Sequence, residues 1–165
     1  MQKRILVVDD VPDWRAQLRA ILKSEYEVTT VANYDDAIEI IRKREAELVI
    51  VDLRLSPTDE HNRQGMQLLK YLAEHRINSI VLTGYPERRL QEEAEEKYKA
   101  FDFIDKASVA GNLQRLRDVV REVFSILERK QEEKDKKIKA ASALQSVSFD
   151  SNLSSWPARK YRKDD

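Results

Sequence analysis

The stretch RILVVDDVPDWR (residues 4–15) joins a short apolar run to two adjacent aspartates, and a segment of helical character follows. Short apolar runs of this kind are typical of strands that are buried on both faces. Asp9 and Asp10 place two like charges side by side at the end of the run. A cation held between carboxylates is a common way to relieve such repulsion, so the stretch predicts a buried strand that ends in a metal site.

Four more short apolar runs follow, and longer amphipathic segments separate them. The runs are VTTVA (28–32), LVIVD (48–52), SIVLTG (79–84) and FDFID (101–105). This alternation is typical of βα units, in which consecutive strands are parallel and helices cover the sheet. The sequence therefore predicts an α/β fold with a five-stranded parallel sheet.

Composition excludes several classes of protein. The 165 residues include no cysteine, so disulfides and thiolate metal sites are excluded and a cytoplasmic location is the simplest expectation. The 30 basic and 30 acidic residues balance, which argues against a nucleic-acid partner. The first residues do not resemble a signal peptide, and no apolar run approaches the length of a bilayer span, so we expect no membrane contact.

The chain length suits one core and an appendage. We expect a domain over residues 1–127, a charged helical extension or linker over 128–140, and a serine-rich tail over 141–165 that is disordered.

An apolar stripe marks the last predicted helix of the domain, at Leu113, Leu116, Val120, Val123 and Leu127. Packing on the core accounts for the first three of these residues. Val123 and Leu127 lie further out, where they offer a surface for a homodimer through this helix.

Polar residues stand at the carboxyl ends of four predicted strands: Asp9 with Asp10, Asp52, Thr83, and Lys106 after the fifth strand. Ligands of open parallel sheets bind beyond these ends. Converging carboxylates suit a hard divalent cation, for which Mg²⁺ is the natural choice. A lysine and a hydroxyl beside the metal indicate phosphate chemistry, and Asp52, which ends the central strand alone, is the candidate nucleophile.

The motifs VVDD, VIVDL, VLTG and FIDK resemble, in order and spacing, those of the response-regulator receiver domains of two-component signalling, the chemotaxis regulators among them, over residues 3–127. The resemblance implies a flavodoxin-like (βα)5 three-layer sandwich with Asp52 as the phosphorylation site. It implies Mg²⁺ bound by Asp10, Asp52 and the backbone carbonyl of Arg54, with Asp9 acting through water and Lys106 pairing with the phosphoryl group.

The resemblance also implies a switch. The Thr83 hydroxyl would turn inward to the new phosphoryl oxygens, and the aromatic ring of Phe103 would follow it. Arg54 and Tyr85 occupy positions that in this family flank the path of the hydrolytic water. Because both are bulky, we expect them to shield the acyl phosphate and to extend its lifetime to minutes or longer.

Two features depart from the family pattern. Ala107 follows the lysine where a proline is usual, so we expect a rearranged loop after the fifth strand. The segment 53–64 is longer than the common loop and carries Asp59, Glu60, His61 and Arg63. A solvated insertion explains this segment most simply, and the alternative is that it gates the site or contacts the kinase.

The expected partners are a histidine kinase or phosphotransfer protein as phosphodonor and a downstream protein that reads the phosphorylated state. We expect no turnover of an external substrate. A haloacid-dehalogenase-type phosphatase would need an acid two residues after the first on strand one, where Val11 and Pro12 stand instead. The remaining alternative is a binding module that keeps the fold and acts independently of phosphate.

Overall fold

The computed structural model describes residues 2–56, 58, 59 and 61–150, with side chains to residue 146. Five parallel strands form one sheet in the order β2-β1-β3-β4-β5. The strands are β1 (Arg4–Val8), β2 (Glu27–Val31), β3 (Leu48–Val51), β4 (Asn78–Thr83) and β5 (Phe103–Asp105). The predicted α/β fold is confirmed.

The helices are α1 (Pro12–Leu22), α2 (Tyr34–Arg42), α3 (Gln64–Glu74), α4 (Arg88–Glu92), α5 (Lys106–Val109) and α6 (Gln114–Asp150). A π-helical turn over Glu93–Lys97 continues α4. Asn33 caps α2, because its side chain accepts a hydrogen bond from the backbone N–H of Asp36 at 2.9 Å.

Both faces of the central strands are buried, which explains their continuous apolar sequence. On one face, Leu6, Val8, Val49 and Val51 belong to a core cluster that includes the apolar residues of α2 and α3. The alternating residues, which include Ile5, Val7, Leu48 and Ile50, point to the other face and are equally buried.

The strand order reverses between β1 and β3, and this reversal positions the site. Val8 of β1 is in register with Val51 of β3, so Asp9 and Asp52 emerge at the same level. In β4 and β5, Thr83 is in register with Asp105, which places Lys106 beside the end of β4.

Ala107, which stands where the family usually has proline, lies in a short helix directly after β5. The chain enters the short helix α5 at once, and the Asp105 carboxylate caps it by accepting a hydrogen bond from the N–H of Ala107 at 2.9 Å. Proline has no N–H and could not make this bond. The departure at residue 107 therefore accompanies a capped helical turn.

The chain divides into two compact units, one ending at Arg121 and the other beginning at Glu122. This boundary precedes the predicted one at residues 127 and 128. In the second unit α6 continues to Asp150, past residue 141, where the sequence predicts the start of the tail. Extending an existing helix costs far less than nucleating one, and the alanines after residue 139 favour it.

Residues 151–165 of the predicted tail lie outside the described residues. Across the part of the chain that is described, no helix is both long and apolar enough to cross a membrane.

Candidate phosphoryl-acceptor site

Lys106 joins two buried aspartates at the carboxyl ends of the strands. Its Nζ lies 2.6 Å from Oδ2 of Asp9 and 2.6 Å from Oδ2 of Asp52. The three side chains are only 3–8% exposed. The N–H of Asp52 donates to the carbonyl of Val8, so the sheet itself holds the two acids at one level. The structure thus brings together three of the residues singled out from the sequence.

Asp10 completes an acidic cluster. Carboxylate oxygens of Asp9, Asp10 and Asp52 all lie within 4.8 Å of one another. Asp9 and Asp52 are buried, whereas Asp10 is half-buried. Three carboxylates at this spacing present the hard oxygen atoms that a divalent cation such as Mg²⁺ prefers.

The electrostatics of the cluster favour a cation. Burial raises the pKa of Asp9, although the hydrogen bond and charge of Lys106 partly offset the effect. Burial and the charge of Asp52 raise the pKa of Asp10. Burial by itself lowers the pKa of Lys106, but the charges and hydrogen bonds of Asp52 and Asp9 together raise it. One ammonium therefore leaves the three carboxylates incompletely neutralised, and a bound cation would supply the missing charge.

The two predicted switch residues lie at different depths. Thr83 is fully buried, and its hydroxyl accepts a hydrogen bond from the N–H of Tyr85 at 3.3 Å. Phe103 is half-buried and packs against the core cluster.

A cavity of about 350 Å³ opens over the cluster and is lined by Asp10, Asp52 and Lys106. Asp9 is not among its lining residues, and its two carboxylate oxygens contact Lys106 and the N–H of Val11. Asp52 therefore combines two properties, contact with Lys106 and access to the cavity.

Comparison with known proteins agrees with this geometry. The family sequence model of the response regulator receiver domain matches residues 5–121. This chain belongs to the response-regulator receiver domain family.

A curated relative of this receiver domain is sporulation initiation phosphotransferase F of Bacillus subtilis. The two are 29% identical over 99 residues, which are 58% of this chain and 76% of the relative. A CheY-like receiver domain structure from Methanospirillum hungatei is 25% identical, with a TM-score of 0.68 over 79% of this chain and 99% of the other.

A third similar protein is the response regulator TrrA of Thermotoga maritima, whose structure is a complex with Mg²⁺ and BeF. It is 27% identical, with a TM-score of 0.60, and the match covers 73% of this receiver domain and 97% of that chain. Receiver domains as a family are phosphorylated on an aspartate and bind Mg²⁺ through an acidic cluster.

Arg54 and Tyr85, which we expect to shield the acyl phosphate, touch each other in this receiver domain. The Arg54 guanidinium carbon lies 3.4 Å from the centroid of the Tyr85 ring, in a cation–π contact. Both residues line the cavity over Asp52 and also a neighbouring cavity of about 290 Å³. Their stacked side chains therefore form a wall shared by the two cavities.

The segment 53–64 supplies part of the neighbouring cavity through His61 and Arg63. Asn62 organises the segment, because its side-chain oxygen accepts hydrogen bonds from the N–H groups of Leu55 and Gln64 at 3.2 and 3.1 Å. Asp59 similarly accepts from the N–H of His61. Glu60 lies outside the described residues.

Sequence reasoning missed two residues of the site. Gly65, in the first turn of α3, lies so close to the backbone of Asp52 and Leu53 that an added Cβ would overlap both. Trp14 lines the cavity over Asp52, with its ring centroid 5.2 Å from Nζ of Lys106. Neither could be found from spacing, since Gly65 follows a loop of unusual length and Trp14 fits the apolar face of a helix.

Proposed function

We propose that this receiver domain is a phosphorylation-dependent switch in which Asp52 accepts a phosphoryl group from a phosphohistidine. The observation that carries the proposal is the position of Asp52, which contacts Lys106 at 2.6 Å and also faces the cavity. Asp9 shares the first property and Asp10 the second. Asp52 alone among these three described acids has both.

The chemistry follows from this arrangement. A carboxylate oxygen of Asp52 forms a bond to phosphorus as the P–N bond of the donor breaks and the imidazole leaves. Lys106 places its positive charge beside the accepting oxygen and then pairs with the phosphoryl group. Asp10, Asp52 and the backbone carbonyl of Arg54 would hold Mg²⁺, with Asp9 acting through water. The ion would neutralise charge on the phosphoryl oxygens.

The switch needs a new partner for the Thr83 hydroxyl proton. The hydroxyl oxygen accepts a hydrogen bond from the N–H of Tyr85, and the proton would be donated to a phosphoryl oxygen on Asp52 as the side chain turns inward. Phe103, at the edge of the core cluster, would follow into the space that Thr83 vacates. A dianionic group on Asp52 thus biases the surface formed by the last two βα units.

The partners we propose are a histidine kinase or phosphotransfer protein as donor and a downstream protein as reader. The similarity to sporulation initiation phosphotransferase F of Bacillus subtilis supports a place in phosphoryl transfer. A homodimer through α6 is a further part of the proposal. Val123 is buried and Leu127 is half-buried, so among the residues of α6 whose side chains are described, 114–146, the large exposed apolar ones are Ile138 and Leu144.

Intact mass after incubation with acetyl phosphate and Mg²⁺ tests the acceptor. Wild type should gain the mass of one phosphoryl group, and Asp52→Asn should gain none. Asp59→Asn is the matched control, because it removes an exposed carboxylate from the nearby loop and should leave the gain intact. If folded wild type gains no mass, the alternative of a phosphate-independent binding module takes the place of this proposal.

The Arg54 and Tyr85 wall is proposed to slow hydrolysis of the acyl phosphate. The phosphorylated protein should persist for minutes or longer, and Arg54→Asn with Tyr85→Ala should shorten that lifetime. Decay within seconds in wild type, with no acceleration in the double variant, would contradict this role.

A further inference from the structure

Trp14 is an aromatic side chain at the mouth of a polar site. It lies in the first turn of α1, where it is half-buried, while Leu18 and Leu22 of the same helix are fully buried in the core. The anchoring of α1 therefore does not account for an indole at this position. The ring instead lines the cavity into which Asp52 opens.

The ring lies close to the reacting atoms. Nζ of Lys106 is 5.2 Å from the centroid of the indole and 2.6 Å from Oδ2 of Asp52. The indole of Trp14 therefore borders the space that a phosphodonor occupies when it reaches Asp52.

The other aromatic residue that lines this cavity within the described chain is Tyr85. The guanidinium of Arg54 lies over its ring at 3.4 Å and occupies that face. The ammonium of Lys106 also lies over the ring of Trp14, but at 5.2 Å from its centroid, so Trp14 is the less closely covered of the two platforms for an incoming ring.

We propose that Trp14 is a specificity-determining residue that stacks on the imidazole ring of the phosphodonor and so favours ring-bearing donors. This inference rests on the proposed function of Asp52 as acceptor. The donor ring carries a proton on its second nitrogen, and a cationic ring is attracted to the face of an indole. The unbalanced carboxylates of the cavity add to that attraction.

The same arrangement favours release after transfer. The P–N bond breaks, its electron pair remains on the imidazole nitrogen, and the phosphorus forms a P–O bond to Asp52. Because the other ring nitrogen already carries its proton, the imidazole leaves as a neutral molecule. The cation–π attraction to Trp14 is then lost, so the product is held less tightly than the donor.

Two small phosphodonors isolate this contribution. Monophosphoimidazole and phosphoramidate both transfer phosphorus from nitrogen, but only the first has a ring. Initial rates of mass gain with each donor and Mg²⁺ give a preference ratio for wild type, Trp14→Leu and Trp14→Phe. Phe101→Leu is the control, because it also removes a partly exposed aromatic ring. Phe101 lies just before the amino end of β5, whereas the site lies at the carboxyl ends of the strands.

Trp14→Leu should lower the ratio of the monophosphoimidazole rate to the phosphoramidate rate roughly five- to thirtyfold. Trp14→Phe should restore most of it, and Phe101→Leu should leave it unchanged. A merely structural effect on Lys106 would slow both donors together, and a ratio equal to that of wild type would overturn the inference. If wild type accepts phosphate from neither donor nor from acetyl phosphate, the proposed function fails and the inference falls with it.

Discussion

Two ionic clusters of this receiver domain have similar distances between their charged atoms, but one is buried and the other is partly exposed to solvent. At the carboxyl ends of the strands, Lys106 lies 2.6 Å from Asp9 and from Asp52, and the side chains are 3–8% exposed. After α1, Glu25 accepts hydrogen bonds from Arg117 at 2.6 Å and from Arg121 at 2.8 and 2.9 Å, with side chains 27–45% exposed.

The pKa values of the acids in the two clusters are shifted in opposite directions. Hydrogen bonds from Arg121 and Arg117 lower the pKa of Glu25 to about 2. Burial raises the pKa of Asp9 despite its contact with Lys106. Because the distances between charged atoms are similar in the two clusters, the opposite pKa shifts come from the stronger desolvation of the buried carboxylates. The buried cluster keeps an unfavourable excess of negative charge, which a cation or a chemical change can relieve.

Removal of the buried ammonium should have the largest effect. Lys106→Met should lower the free energy of unfolding by about 3 kcal/mol at pH 7, because Asp9 and Asp52 would remain buried without a counterion. The loss should shrink as the pH falls and one carboxylate takes up a proton. Urea unfolding at pH 7 and pH 5 measures it, with the exposed Lys43→Met as control. Equal stability of the two variants would show that burial of the cluster does not raise the cost of losing its ammonium.

Packing at the buried cluster should have the next largest effect. Gly65→Ala places a Cβ against the backbone of Asp52 and should cost about 2 kcal/mol of unfolding free energy, since α3 must move. Gly111→Ala, where an added Cβ meets nothing within 4 Å, is the matched control and should be neutral or slightly stabilising. Thermal and urea unfolding compare the two. If Gly65→Ala left the free energy of unfolding unchanged, the packing of α3 would not constrain the backbone at Asp52.

Relief of the excess charge should stabilise the fold modestly. The folded pKa of Asp10 lies above its ordinary value of 3.8, so its ionisation opposes folding at neutral pH. Asp10→Asn should therefore raise the free energy of unfolding at pH 7 by about 0.5 to 1 kcal/mol after screening by solvent. The gain should disappear as the pH falls below 3.8, where both folded and unfolded forms are protonated.

Urea unfolding across that pH range measures this gain, with the exposed Asp13→Asn as control. Mg²⁺ should stabilise wild type more than Asp10→Asn. A loss of stability in Asp10→Asn at pH 7 without Mg²⁺ would contradict the electrostatic account.

The partly exposed cluster around Glu25 should give the smallest effect. Glu25→Gln should leave unfolding at pH 7 and physiological salt unchanged within experimental error, because solvent screens the charges. The folded pKa of Glu25 is lowered from 4.5, so its small contribution is present above 4.5 and is lost as the pH falls through about 2. An NMR titration should show this pKa returning toward 4.5 at high salt. A destabilisation comparable to that of Lys106→Met would erase the distinction between the clusters.

The sequence by itself determined the layers of the fold and the position of the acids. The apolar runs predict the strands because a strand buried on both faces must be apolar, and the ends of parallel strands meet at one edge. Asp9, Asp52 and Lys106 could therefore be placed together from their positions in the chain. The end of the last helix could not be predicted from the sequence, since residues 141–150 continue a helix that is already formed.

Only the tertiary structure decided which groups touch. It placed Asp52 in the lining of the cavity and left Asp9 out of it. It also stacked Arg54 on Tyr85 and brought Trp14 to the mouth of the site. The physical reason is that patterns of hydrophobicity specify which face of an element is buried. Contacts between side chains distant in sequence depend on how the elements pack, and a single sequence does not encode that packing in any local pattern.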